Sequence, residues 1–467
     1  MPQHQNSRYY SKINQRRYLF LVTIALGVLL NPLNSSMISV ALTRLQHVFH
    51  LNFTSVSWLI STYYLASAIA QPVMGKIADT LGRKRVFLAG LVLVAVSSVT
   101  APFAPSFGWL IALRLIQSIG SGAIYPAGMG IVRQYITQGQ AQALAFLAVF
   151  SSGAAAFGPS IGGVLMHWGD WPSIFWVNFP FIVASLLLAV WILPSDRRQN
   201  LDGPDREPIR ALIQKLDVWG IILFALAIIM SLLFLLSLAE TIKWWSGLLA
   251  VASILVFYVW ETQSQMPFIN LRMFRQNMAF TWVLLQFVTV NTIFYSIFFG
   301  MPTYLQEVRQ FSPQNTGLIM LCVAGFGVIM APIAGRWVAL SGSRPPLLLA
   351  GFCMTIGSTL FLVLHNQSPV WWLAINLSVL GFSNGFNNVG LQTALFQVTP
   401  QEIISAASGL FQTARYMGTI LSTVLLGVLF GNHLSTHEVR LLGIVLAALG
   451  LCVIWMSWRL PKKCHNT

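Results

Sequence analysis

Four cations and one acid fall within the eleven residues Gly75-Lys-Ile-Ala-Asp79-Thr-Leu-Gly82-Arg83-Lys84-Arg85. Asp79 can hold the neighbouring cations or accept bonds from the amides of a helix N-terminus, where the macrodipole favours negative charge. Gly75 and Gly82 allow close backbone packing or turns that other residues resist. Two further cations, Arg114 and Arg415, lie inside long apolar runs. A charge there is costly, so each must face a wet cavity or find acceptors. The twelve Asp and Glu residues all fall in loops or at the ends of apolar runs, and no His sits mid-run. Proton relays in membrane pumps usually use a buried Asp, Glu or His, so the usual carrier is missing. There is no His-Glu-x-x-His, no P-loop and no paired intramembrane carboxylates. The four cysteines have no metal-ligand spacing. The chain therefore reads as no enzyme, with no cofactor, no metal and no direct use of ATP; gradients must drive whatever it does.

The elements that position these residues are set by composition. The 467 residues are 56% hydrophobic and 8% charged, against about 25% charged in soluble domains. No soluble core hides that much apolar surface, so the solvent is a lipid bilayer. Fourteen apolar runs follow, at about 18–43, 54–74, 86–104, 108–132, 141–165, 173–194, 217–238, 244–262, 278–304, 315–338, 346–365, 369–396, 403–430 and 440–458. Each approaches or exceeds the ~20 residues a helix needs to cross ~30 Å of hydrocarbon. An even count puts both tails on one side. Of the 27 Lys and Arg, 21 fall on that side and four on the other, which makes the tail side cytoplasmic. The net charge of +15 thus reflects topology rather than a nucleic-acid partner. The first run is too long for a signal peptide and is read as an uncleaved helix.

The fold class is all-α integral membrane. Residues 1–194 form an N-terminal six-helix bundle, 195–216 a cytoplasmic linker that is either solvated or a short surface helix, and 217–262 two inserted helices. Residues 263–276 form a second cytoplasmic linker and 277–467 a C-terminal six-helix bundle with the tail. Gly335-Arg336-Trp-Val-Ala339-Leu-Ser-Gly342-Ser-Arg344 repeats the opening hairpin at an offset of 260, and the same offset carries Gly158 to Gly418. The two six-helix blocks are thus related by internal repetition.

The 75–85 string resembles the signature loop of the major facilitator superfamily, and it lies in the expected place between the second and third membrane helices. Arg114-Leu-Ile-Gln117-Ser-Ile-Gly120 resembles the family's second motif, in which the Arg is thought to assist proton transfer; the alternative is a structural Arg bonding helix carbonyls. Gly153-Ala-Ala-Ala-Phe-Gly158-Pro159-Ser-Ile-Gly162-Gly163 resembles the motif that marks exporters, with Pro159 bending the helix and small residues allowing close packing. Trp171 to Pro180, the linker Pro267 to Arg275 and the two inserted helices resemble the fourteen-helix drug:proton antiporter branch. So does Leu33-Asn34-Ser-Ser-Met-Ile-Ser-Val-Ala-Leu42, with one departure: the family usually has Asp at the position of Asn34, and an amide does not titrate usefully. Arg415, within Gln412-Thr-Ala-Arg415, also fits the family.

The resemblance implies a multidrug exporter in the cytoplasmic membrane of a bacterium. It would work by alternating access, with protons as partners and the 75–85 hairpin, Arg83 and Arg85 included, latching the cytoplasmic side shut. The expected cavity combines amides and aromatics, which suit amphiphilic, partly aromatic cargo. In the first half these are Asn34, Trp58, Tyr64, Tyr125 and Phe150. In the second half they are Gln286, Asn291, Tyr295, Asn384, Asn388, Gln392, Phe411 and Gln412. Two alternatives stand beside this reading. Arg114 and Arg415 without a mid-membrane acid suit an anionic or zwitterionic metabolite or a lipid-like molecule, although Asn, Gln, Tyr and carbonyls can also satisfy both. A non-transporting sensor on the same fold is the other.

Overall fold

A computed structural model of the chain describes residues 16–51, 53–136, 138–194, 196, 217–237, 242–264, 267–269, 271–311, 313–365, 367–430 and 435–460. Among them there is no strand. In chain order the helices are α1 Arg17–Val28, α2 Leu30–Phe49, α3 Phe53–Leu81, α4 Arg83–Thr100, α5 Phe107–Tyr135, α6 Gln140–Gly169, α7 Pro172–Trp176 and α8 Asn178–Ile192. They continue as α9 Val218–Ser237, α10 Trp244–Gln263, α11 Leu271–Gln276, α12 Met278–Glu307, α13 Pro313–Ser341, α14 Arg344–Leu360, α15 Val370–Val398, α16 Ile404–Phe430 and α17 Thr436–Arg459. Among the described residues, each expected apolar run is mostly helical. Eleven stretches among the described residues are long and apolar enough to cross a membrane. The helices at 53–81, 140–169 and 370–398 are not among those eleven; within the second of them the stretch Gln140–Ala155 is apolar but shorter. The expected linker at 195–216 lies outside the described residues except for Asp196.

The outer surface shows why the solvent is lipid. Trp191 is 84% exposed, Trp168 81% and Leu340 80%. A soluble protein rarely leaves such large apolar side chains open together.

The chain divides into two compact units, 1–218 with 399–413, and 219–398 with 414–467. The division differs from the expected domains in giving 399–413 to the first unit, and the contacts of that segment explain why. The first unit packs around Leu33, Met37, Leu59, Leu110, Trp171 and Phe175, all buried. Within it, Pro72 inside α3 has no N–H, which leaves the carbonyl of Ala68 without its helical donor. Thr413 Oγ1 fills the gap, donating to Ala68 O at 2.7 Å. Gly409 lies against the same turn: a Cβ there would stand 2.4 Å from Gln71 O.

In the second unit α17 opens on a capping box in which Ser435 Oγ accepts from His437 N at 3.1 Å and Glu438 returns the bond to Ser435 N at 2.9 Å. Asn277 caps α12 through Phe280 N at 3.1 Å. The repeat read from the sequence has a backbone counterpart in each unit. Gly82 has φ +111° and Gly342, 260 residues on, has φ +81°. Both sit at a helix-to-helix turn in conformations that side chains rarely adopt.

Candidate functional site

Two polar clusters are built from the first unit's helices. At the α3–α4 turn, Arg83 donates to Asp79 Oδ1 through Nε at 3.1 Å and Nη2 at 3.0 Å. Its Nη1 donates to Gly130 O at 3.2 Å and Gln134 Oε1 at 3.1 Å on α5. Its Nη2 also donates to Gln401 O at 2.6 Å. The other Asp79 oxygen accepts from Ala406 N at 2.9 Å. That amide is one of the first-turn donors that α16 cannot satisfy internally, so the carboxylate sits at a helix N-terminus, as its sequence context suggested. The Asp79 and Arg83 side chains are only 8% and 11% exposed. Gly75 is required here, because a Cβ would stand 2.4 Å from Ser405 O.

Sequence reasoning missed Asp196. Its carboxylate accepts from Lys84 N and Arg85 N, each at 2.9 Å, and so caps α4. A Cβ on Gly82 would strike it. Lys84 Nζ in turn donates to Val190 O at 3.1 Å and Leu193 O at 2.6 Å near the end of α8. An acid just past the end of a long apolar run was the available signal.

Deeper in the same unit, α2, α3, α4, α5 and α8 each send one or two polar side chains to a common place. Asn34, Ser98, Arg114, Gln117 and Asn178 are all at most 1% exposed. Arg114 Nη1 donates to Gln117 Oε1 at 2.7 Å, an i,i+3 contact along α5. Gln117 Nε2 reaches Ser98 Oγ at 3.0 Å and Asn34 Oδ1 at 3.4 Å. Asn178 Nδ2 donates to Asn34 Oδ1 at 2.7 Å and to Phe175 O at 3.0 Å. The Tyr63 ring, also missed from sequence, covers the guanidinium with its centroid 4.2 Å from Cζ. Its hydroxyl shares a hydrogen bond with Ser121 Oγ at 3.0 Å, and Ser121 is reached by the half-buried Asn31 at 3.2 Å.

The other expected cavity residues are more scattered. Tyr64 is half-buried, Tyr125 is buried, and Phe150 packs on Phe146 and the first unit's core. Phe411 is fully buried, and Gln412 Oε1 is buried without a hydrogen-bond partner among the described residues. The side chains of Trp58 and Pro159 lie outside the described residues. On α6, Gly158 and Gly162 meet Ser36 and Met37 of α2, as close packing requires, while a Cβ on Gly163 meets nothing within 4 Å. In the second unit Arg415 donates to Asn388 Oδ1 at 3.2 Å and lies over the Phe287 ring at 5.6 Å. Asn384 is half-buried and Gln392 buried. Tyr295 stands half-buried in a ring cluster with Phe294, Phe298 and Phe299. Gln286 is committed elsewhere, to Ser457 Oγ at 2.7 Å, and Asn291 donates to its own helix at Phe287 O, 2.7 Å away.

The major facilitator superfamily model matches residues 24–423. The chain belongs to the major facilitator superfamily. It is 44% identical over 443 residues to an uncharacterized transporter of this type, YwoD of Bacillus subtilis, covering 95% of this chain and 97% of the other. It is 26% identical to the multidrug resistance protein Stp of Mycobacterium tuberculosis, over 91% of this chain and 78% of that one. The human organic anion transporter MFSD10 has a similar structure, with TM-score 0.68 and 16% identity over 94% of this chain and 99% of the other; likeness at that identity concerns the fold alone. The protein is thus a multi-pass membrane transporter, not an enzyme.

One contact outside both clusters serves stability. Arg44 holds Asp170 through Nε at 2.9 and 3.0 Å and Nη2 at 2.7 Å. This hydrogen-bonded guanidinium keeps the Asp170 carboxyl below the usual carboxylate range. A carboxyl depressed by folding stabilises the protein above its unfolded value and loses that contribution as pH falls through the folded one. The bridge is exposed, so its effect is small. Asp170→Asn is expected to lower the unfolding midpoint slightly at neutral pH, with transport unchanged. The difference fades as pH falls below about 4. A pH-independent difference between the two proteins contradicts this.

Proposed function

We propose that the protein exports amphiphilic, partly aromatic small molecules by alternating access, driven by the proton gradient across a bacterial cytoplasmic membrane. Both tails are cytoplasmic in this reading, and the helices make fourteen spans. What carries it is the likeness along nearly the whole chain to a protein named for multidrug resistance, joined to a set of buried amides and aromatic rings inside helices whose outer faces are apolar. Such walls hold flat molecules by area and orient them through a few adaptable polar contacts. The Asp79–Arg83 cluster acts as a latch that closes the cytoplasmic side while the site faces outward. Its partner segment, 399–413, must leave Asp79 for the site to open inward.

The test is efflux from intact cells stripped of their own drug exporters. Cells expressing the protein are expected to accumulate several-fold less ethidium than cells with empty vector, and to lose the difference when the membrane is de-energised. Equal accumulation, with the protein present in the membrane, rejects the reading for this class of cargo.

A further inference from the structure

Arg114 carries a permanent charge at 1% exposure. It has no ion pair with a carboxylate among the described residues. Of its five N–H groups, those on Nη1 are used by Gln117, while Nε and Nη2 have no hydrogen-bond partner among the described residues. A buried guanidinium costs a great deal unless it is paired and hydrogen-bonded, and the Tyr63 ring supplies only part of the compensation.

The neighbouring amides sharpen the imbalance. Asn34 Oδ1 accepts from both Gln117 and Asn178, which fixes the amide's orientation and leaves Nδ2 with no acceptor among the described residues. Three donor nitrogens, Arg114 Nε and Nη2 and Asn34 Nδ2, thus stand without acceptors among the described residues, on either side of one glutamine amide. Asn178 Oδ1 is the acceptor of this group that has no partner among the described residues, and a water entering with a ligand satisfies it.

We infer that Asn34 and Arg114 form a binding site for a compact monoanion, either a small inorganic anion such as chloride or the carboxylate of a transported molecule. The shared chemistry is one negative charge with two or more acceptor positions. One charge balances the guanidinium, whereas a dianion would leave an excess charge among apolar side chains. Tyr63 is the cover: its ring lies on Arg114 and its hydroxyl is tied through Ser121 to the half-buried Asn31. An anion seated beneath it is occluded until that side chain moves. This goes beyond the export reading, since binding is measured without transport and either claim can fail alone.

The test uses the purified full-length protein in neutral detergent, with its unfolding midpoint followed by tryptophan fluorescence. Sodium isethionate is the reference salt and is replaced at constant ionic strength by sodium chloride or by sodium benzoate. The wild type is expected to gain about 3 °C, saturably, in at least one of the two. A gain with chloride, alone or with benzoate, marks an inorganic anion as a ligand; a gain with benzoate alone marks the carboxylate of cargo. Asn34→Asp supplies the negative charge from within. It is expected to unfold at a higher temperature in isethionate and to lose the anion-dependent shift, which a merely structural role for Asn34 does not predict. Arg114→Gln loses the shift as well. No saturable gain in the wild type overturns the proposal, and so does an Asn34→Asp protein that keeps the full shift.

Discussion

Asp79→Asn is expected to reduce transport tenfold or more while the amount of protein in the membrane stays at the wild-type level. The substitution keeps the shape and an oxygen for the Ala406 amide, which donates at 2.9 Å. What it removes is the charge that holds Arg83, a side chain only 11% exposed. Removing one member of a buried pair costs about 3–5 kcal/mol, far more than the hydrogen bond itself. That cost falls on the arrangement in which Asp79 meets the start of α16 and spares any arrangement in which it does not. The conformational equilibrium then shifts by about two orders of magnitude, and a carrier held on one side turns over slowly. Transport and membrane level are measured together; wild-type transport by Asp79→Asn removes the latch from the mechanism.

Gly409→Val is expected to have an effect of similar size. Its Cβ would stand 2.4 Å from Gln71 O and 2.6 Å from Pro72 Cα, backbone atoms with no rotamer to yield. Overpacking of this kind costs about 1–3 kcal/mol. Relief requires the 399–413 segment to move off α3, which also strains the Thr413 bond to Ala68 O. Because Ala68 O has no other helical donor, the loss is not made good within α3. Transport should fall about tenfold or more, with insertion intact. Equal transport by Gly409→Val and the wild type would mean that this close approach is dispensable to the cycle.

Local chemistry made part of this legible from sequence. The two glycines and Asp79 stood out because a loop that only needs positive charge has no use for them. The 260-residue repeat was visible as spacing, and its backbone counterpart is the positive φ at Gly82 and Gly342. The repeat also shows where its two copies part: Ala339 stands where the first copy has Asp79, so the second turn lacks the carboxylate. Arg114 and Gln117 met because positions i and i+3 share a helix face.

What was not legible depends on neighbours distant in the chain. Nothing near Asp79 announces Gln401 or Ala406, more than 300 residues away. Asp196 looked like part of a polar linker, and only the fold brings it to the first amides of α4. Sequence does not separate Tyr63 from Tyr64: one residue turns a helical side chain by about 100°, and which of the two faces Arg114 is set by how α3 packs. Residue type alone makes Gln286 a wall residue, but it spends its amide on Ser457. Spacing alone groups Gly163 with Gly158 and Gly162, yet its helix position gives it open space.

The most direct test is dye uptake into inverted membrane vesicles with an acidic interior, comparing the wild type with Asn34→Asp. Exporters oriented inward should concentrate ethidium in the wild-type vesicles, and uptake should collapse when the pH gradient is dissipated. That result establishes proton-driven export by a chain whose position 34, an asparagine on α2, cannot titrate. If the wild type is silent, with the protein present and correctly inserted, proton-coupled export of this cargo is contradicted. Uptake gained only by Asn34→Asp would then show that the coupling was lost with that carboxylate.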